Sequence, residues 1–146
     1  MTDEEKQLIR DFFNFPNKLR DAGIVRSNNV LGDIGEWLCV QKCGLTLVES
    51  GRNADFDGYI EDKKVQVKLH NAPIGTNVDV GNPEKYDELI VILGKQSILR
   101  PQNSCDDGFL FYKFSAQEVK ETMKQNKGYS CGKGVLSKKE YKSVKL

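Results

Sequence analysis

Residues 55 to 68, DFDGYIEDKKVQVK, set two carboxylates, Asp55 and Asp57, ahead of a Gln66-x-Lys68 pair. Carboxylates and an amide oxygen are the hard oxygen donors that Mg²⁺ takes, and an ammonium beside them can hold the negative charge that builds on a phosphate under attack. Those types together point to phosphodiester hydrolysis without a covalent intermediate. An Asp and a Lys opposed on a solvated strand face also form an ordinary surface ion pair worth little to stability. Residue types alone leave both readings open.

Whether these side chains meet depends on the strands that carry them. Glu61-Asp62 reads as a two-residue turn, so paired residues have numbers that add to 123: Ile60 faces Lys63, Asp57 faces Gln66 and Asp55 faces Lys68. Opposed residues share a face, and the period of two keeps Gln66 and Lys68 together. One face therefore gathers Asp57, Gln66, Lys68 and, if the pairing extends that far, Asp55. The other takes Phe56, Val65, Val67 and Leu69 as its core side, with Ile60 joining them if a bulge permits. A slip of one residue would move the partners to the opposite face.

The flanking elements follow from periodicity and caps. Thr2 and Glu5 have capping-box spacing and Leu8, Ile9, Phe12 and Phe13 recur at helical intervals, which predicts an amphipathic helix over 3–14. Pro16 is expected to interrupt it, with a short second helical stretch ending near Ala22-Gly23. Ser27-Asn28-Asn29 offers N-caps for a further helix lined by Val30, Ile34, Trp37, Leu38 and Gln41, with Trp37 a core anchor and Gly44 the C-cap. From Leu45 the pattern alternates as strands do, residues 71–85 read as a long loop, and 89–93 (LIVIL) reads as a strand buried on both faces. Residues 109–114 predict another strand, and Ser115 with Glu118 opens a helix over 116–125. This order gives an α/β fold with a central mixed sheet flanked by helices.

At 146 residues the chain is sized for one domain: a helical N-terminal extension (1–26), a motif-bearing core (27–115), and a C-terminal helix with a basic tail (116–146). A net charge of +1 excludes a global field for nucleic acid or membrane, so any basic surface is local. The four cysteines are too few and scattered for a secreted disulfide framework, and Cys39 and Cys43 lack zinc-knuckle spacing; reduced thiols are expected. With no leader-like or membrane-spanning stretch, a cytoplasmic location is expected.

The segments GDIGEWL (32–38), NADFDGYI (53–60) and VQVK (65–68) together resemble the PD-(D/E)XK nucleases, the superfamily that includes many restriction endonucleases. In that family a helix bearing a Glu precedes a hairpin bearing an Asp and a (D/E/Q)-x-K triplet. The resemblance covers about residues 30 to 115 and implies a restriction-endonuclease-like α/β/α core. It places Glu36 at the helix acid, Asp57 at the Asp, Gln66 at the variable ligand and Lys68 at the lysine. It further implies Mg²⁺, which Mn²⁺ can replace, bound by Asp57, Gln66, the Val67 carbonyl and Glu36, with Lys68 acting on the attacking water. Two departures stand out: no Pro precedes the Asp, and Gln66 replaces the usual acid and removes a charge. Asp55 is the alternative to Asp57 if the turn is longer.

The implied activity is endonucleolytic cleavage of DNA, most naturally double-stranded, in restriction, phage defence or DNA repair, with a homodimer suited to cutting both strands. Lone His70 falls on the Lys68 face, where phosphate contact is a role open to it, but without a second His neither a His-metal cluster nor a Ser-His-Asp triad is expected. Asn71 in the long loop and Lys133, Lys138 and Lys139 in a C-terminal stretch with nine Lys against three Glu are the nucleic-acid contacts expected. GYSCGKG at 128–134 is short by one for a phosphate loop. The rivals are a nuclease-like module that binds without cutting, kept open by Gln66, and a small protein-interaction factor in which Asp57 and Lys68 only pair at the surface.

Overall fold

A computed structural model describes residues 1–49, 55–102 and 104–146. The element order is α1 (Asp3–Asp21), α2 (Val30–Cys43), β1 (Thr46–Leu47), β2 (Gly58–Ile60), β3 (Lys63–His70), β4 (Asn77–Asp79), β5 (Glu88–Leu93), β6 (Phe109–Ser115), α3 (Ala116–Thr122), β7 (Ser130–Gly132), α4 (Lys133–Leu136) and β8 (Lys142–Val144). Six strands form one sheet in the order β1-β2-β3-β5-β6-β8, while β4 and β7 pair separately. Only β3 and β5 run parallel; every other pair is antiparallel. The chain is thus mixed α/β, a mixed sheet flanked by helices.

Two cores lie on either side of that sheet because β5 and β6 are buried on both faces. Val65, Val67, Ile90, Ile92 and Phe111 pack with Leu38 and Cys39 of α2 on one side. Leu89, Val91, Leu93, Leu110, Tyr112 and Phe114 pack on the other under Val119 of α3, Leu136 of α4, Val78 of β4 and Cys131 of β7. The continuous apolar run of β5 matches this double burial, since all six of its residues are buried.

Several sequence expectations are met locally. Thr2 and Ser115 both form full capping boxes with Glu5 and Glu118. Asn29 caps α2, Gly44 closes it in the left-handed conformation at φ 73°, and Trp37 packs half-buried on the α2 core. All four cysteines are free.

Others are corrected. Pro16 does not end the first helix: α1 runs unbroken to Asp21. A proline removes one helical N–H and crowds the preceding turn, which an exposed helix with a capped start and local side-chain bonds tolerates. The segment read as a long loop contains β4, whose partner β7 lies more than fifty residues on, beyond the reach of local pattern. The helix after Ser115 stops at Thr122, and the stretch read as a tail holds β7, α4 and β8, the last being an edge strand of the main sheet. Among the described residues no helix is long and apolar enough to cross a membrane.

Candidate active site

The hairpin pairs as its turn dictates, then departs from that register where the chemistry is. Gly58 faces Val65, Tyr59 faces Lys64 and Ile60 faces Lys63, and Glu61 takes φ 56° to make the tight turn. Ile60 therefore joins Val65, Val67 and Leu69 on the α2 side without any bulge of its own. The Asp57 N–H, however, also donates to the Val65 carbonyl (2.9 Å), so two successive residues address one, as at a β-bulge. Asp57 is not directly opposite Gln66. The slip also puts Phe56 in the other core, with Leu89 and Val91, rather than beside Val67 as strict alternation requires.

Gly58 makes the crowding at this bend possible. A Cβ there would lie 2.3 Å from the Thr46 carbonyl oxygen of β1. One residue earlier, the Asp57 carboxylate turns back onto β3, where its Oδ2 accepts from the Val67 N–H (2.7 Å) and from Gln66 Nε2 (2.9 Å). Gln66 is buried, and Lys68 stands half-buried two residues further along β3. Lys68 makes no hydrogen bond or ion pair with the described residues, but its charge favours the ionised form of Asp57.

Glu36 arrives from α2, which lies close on β3 because Gly35 has no side chain; a Cβ there would sit 3.0 Å from the Leu69 Cβ. The Glu36 carboxyl comes within hydrogen-bond reach of Asp57. Burial raises the pKa of both. For Glu36 the hydrogen bond from Arg26 opposes the rise and the Asp57 charge adds to it; for Asp57 the Val67 amide and the Lys68 charge oppose it. Two half-buried carboxyls thus share one site, each resisting ionisation.

Arg26 and Asp33 were not singled out from sequence. Arg26 spans the site, donating to Glu36 Oε2 (2.7 Å) and to the Val48 carbonyl just after β1 (2.8 Å). Asp33, buried in the first turn of α2, accepts from the Arg26 and Ser27 amides at 2.8 and 2.5 Å and so fixes the segment that presents Arg26. The one local hint is that Asp33 stands at the first turn of a helix, where a carboxylate is favoured.

The remaining candidates lie apart from the carboxyls. Asp55 is exposed and precedes the hairpin ladder, while Asn53 and Ala54 of the motif fall outside the described residues. His70 lies further along β3, its Nδ1 2.6 Å from Ser97 Oγ, with burial lowering its pKa. Asn71 accepts from the Gln96 N–H (2.9 Å) and so braces the turn after β5. Lys133 and Lys138 are exposed at and just beyond α4. Lys139 pairs with Glu118 (2.6 Å) and sits over the Phe114 ring, which ties it to the fold.

Among the described residues no three His, Cys, Asp or Glu side chains are grouped to hold a metal ion. The donors that could share a cation are the Glu36 and Asp57 carboxylates, the Gln66 amide oxygen and the Val67 carbonyl, an all-oxygen set suited to a hard ion. No protein-family model and no curated protein matches this chain.

Proposed function

We propose that this chain is a Mg²⁺-dependent endonuclease of the PD-(D/E)XK type, built on a restriction-endonuclease-like α/β/α core and hydrolysing double-stranded DNA in restriction, phage defence or DNA repair. One observation carries the reading: the Asp57 carboxylate is bound by Gln66 and by the Val67 amide and lies beside Glu36, with Lys68 next along the strand. The four motif residues thus come together from α2, the bulge and β3, although the register that brings Asp57 in differs from simple alternation.

The donor set fits a divalent cation. Burial and mutual repulsion raise the pKa of both carboxyls, and Arg26 and Lys68 are the cations that oppose this; a hard dication would relieve it, held by Asp57, Glu36, Gln66 and the Val67 carbonyl. Bound there, Mg²⁺ or Mn²⁺ would neutralise charge developing on the phosphate and steady the leaving oxygen. The chain supplies the rest. Lys68 positions the attacking water and offsets charge on the phosphate, Gln66 and the Val67 amide keep Asp57 in one orientation, and Arg26 does the same for Glu36. In-line attack at phosphorus would leave a 3′ hydroxyl on the released strand.

Supercoiled and linear DNA incubated with Mg²⁺, Mn²⁺ or EDTA tests this directly. Nicking with either metal, abolished by EDTA and lost in both Asp57→Ala and Lys68→Ala while each variant keeps its melting temperature, is the expected result. A second reading is favoured by the Gln66 amide, which leaves the site with two carboxylates: a module that binds nucleic acid without cutting. It predicts salt-dependent DNA binding with no metal-dependent product.

A further inference from the structure

Helix α1 is amphipathic, yet none of its residues is buried. Leu8 is 63% exposed, Phe12 71%, Phe13 70% and Phe15 58%, and Ile9 lies with them on the same side. Leu8, Phe12, Phe15 and Leu19 recur at spacings of four, three and four, the seam along which two helices interlock, over a helix about 28 Å long. Only the C-terminal end meets the rest of the chain, where the Leu19 carbonyl accepts from the Ile24 and Val25 amides.

We propose that α1 is a dimerisation helix whose occupant is α1 of a second copy of this chain, packed antiparallel about a two-fold axis near Phe12. The charge pattern selects that occupant and that direction. The first turn carries Asp3, Glu4 and Glu5, and the last carries Lys18 and Arg20. Antiparallel pairing sets each acidic turn against the partner's basic turn and opposes the two helix dipoles favourably; parallel pairing sets like against like. Glu4 and Lys18, almost four helical turns apart, edge the same side of the apolar seam, so each Glu4 meets the other copy's Lys18 across it. An isologous contact needs this self-complementarity. A membrane surface is a poorer match, because α1 carries five acidic residues against four basic ones, whereas interfacial helices are rich in Lys and Arg. This inference stands apart from the nuclease reading and uses none of its residues.

Sedimentation equilibrium of the full chain over a wide concentration range tests it. The expected result is reversible assembly to twice 16.5 kDa. Phe12→Asp should weaken self-association about 100-fold, as for a central aromatic anchor, with the circular dichroism of the core unchanged because Phe12 is not buried. Glu4→Lys and Lys18→Glu should each weaken it about 10-fold, and the double variant should recover to within about 3-fold of the parent. Recovery separates pairing from simple weakening of the helix, since both reversals oppose the helix dipole and together would fray α1 further. A chain that is monomeric throughout, whether or not it sediments with phosphatidylserine vesicles, overturns the proposal. So does a dimer indifferent to Phe12→Asp, or a double variant no tighter than the single ones.

Discussion

Helices α1 and α2 show how differently two helices can be held. α1 has the clearer apolar face, a full capping box and several side-chain bonds between successive turns, yet it buries nothing. α2 has a weaker apolar face and buries Asp33, Gly35, Leu38 and Cys39. What docks α2 is close approach at Gly35, packing of Leu38 between the strands, and a buried carboxylate whose bonds go to backbone outside the helix. Amphipathic pattern shows that a helix has a face to bury; contacts encoded elsewhere in the chain decide what receives it. The helix that is fixed is also the one that presents Glu36 to the site.

Substituting one apolar residue on each helix should expose this contrast most strongly. Leu38→Ala should cost about 2 to 5 kcal/mol in urea unfolding, by lost burial and a residual cavity. Phe12→Ala, at concentrations where the chain is monomeric, should change stability by less than about 0.5 kcal/mol; equal losses would mean that α1 is docked after all. The two capping boxes give a smaller version of the same comparison. Ser115→Ala should lower global stability by about 1 kcal/mol, because α3 covers a core, whereas Thr2→Ala should reduce helicity at the N-terminus and leave the cooperative unfolding midpoint in place.

The smallest effect is a slope with pH. Burial raises Glu36 and Asp57 above their ordinary values of 4.5 and 3.8, while the Arg26 hydrogen bond and the Val67 amide limit the rise. The folded state then binds more protons than the unfolded one between each ordinary value and its raised one, so this pair's contribution makes stability fall as pH rises through that window. The difference in unfolding free energy between the parent and Asp57→Asn isolates it from carboxylates with the opposite sign, such as Glu118, which Lys139 lowers. A difference that is flat or grows in favour of the parent with pH would contradict the shared-site electrostatics.

Much of the fold was legible where short-range rules act. The Glu61-Asp62 turn fixed the pairing of three residue pairs, Asn29 and Gly44 bounded α2, and the apolar run of β5 announced burial on both faces. What escaped depends on distant partners. The bulge at Asp57 arises as β1 packs on β2 at Gly58, and no local pattern displays that approach. β4 and β7 each have three residues and exist by pairing with one another. Arg26 serves the site only because the fold brings Val48 and Glu36 to it. The motif residues could be named from sequence, but the geometry that joins Asp57 to β3 could not.

The two outermost strands of the large sheet, β1 and β8, have two and three residues, whereas β5 and β6, six and seven long and rich in aliphatic and aromatic side chains, lie inside it. A long apolar edge is the template on which strands from other molecules add and fibrils grow; an edge this short, flanked on β8 by Lys142 and Lys145, offers few free backbone groups to extend. The sequence segments most capable of forming amyloid are therefore the ones that the native sheet withholds from its neighbours, and resistance to aggregation rests on keeping β8 paired with β6.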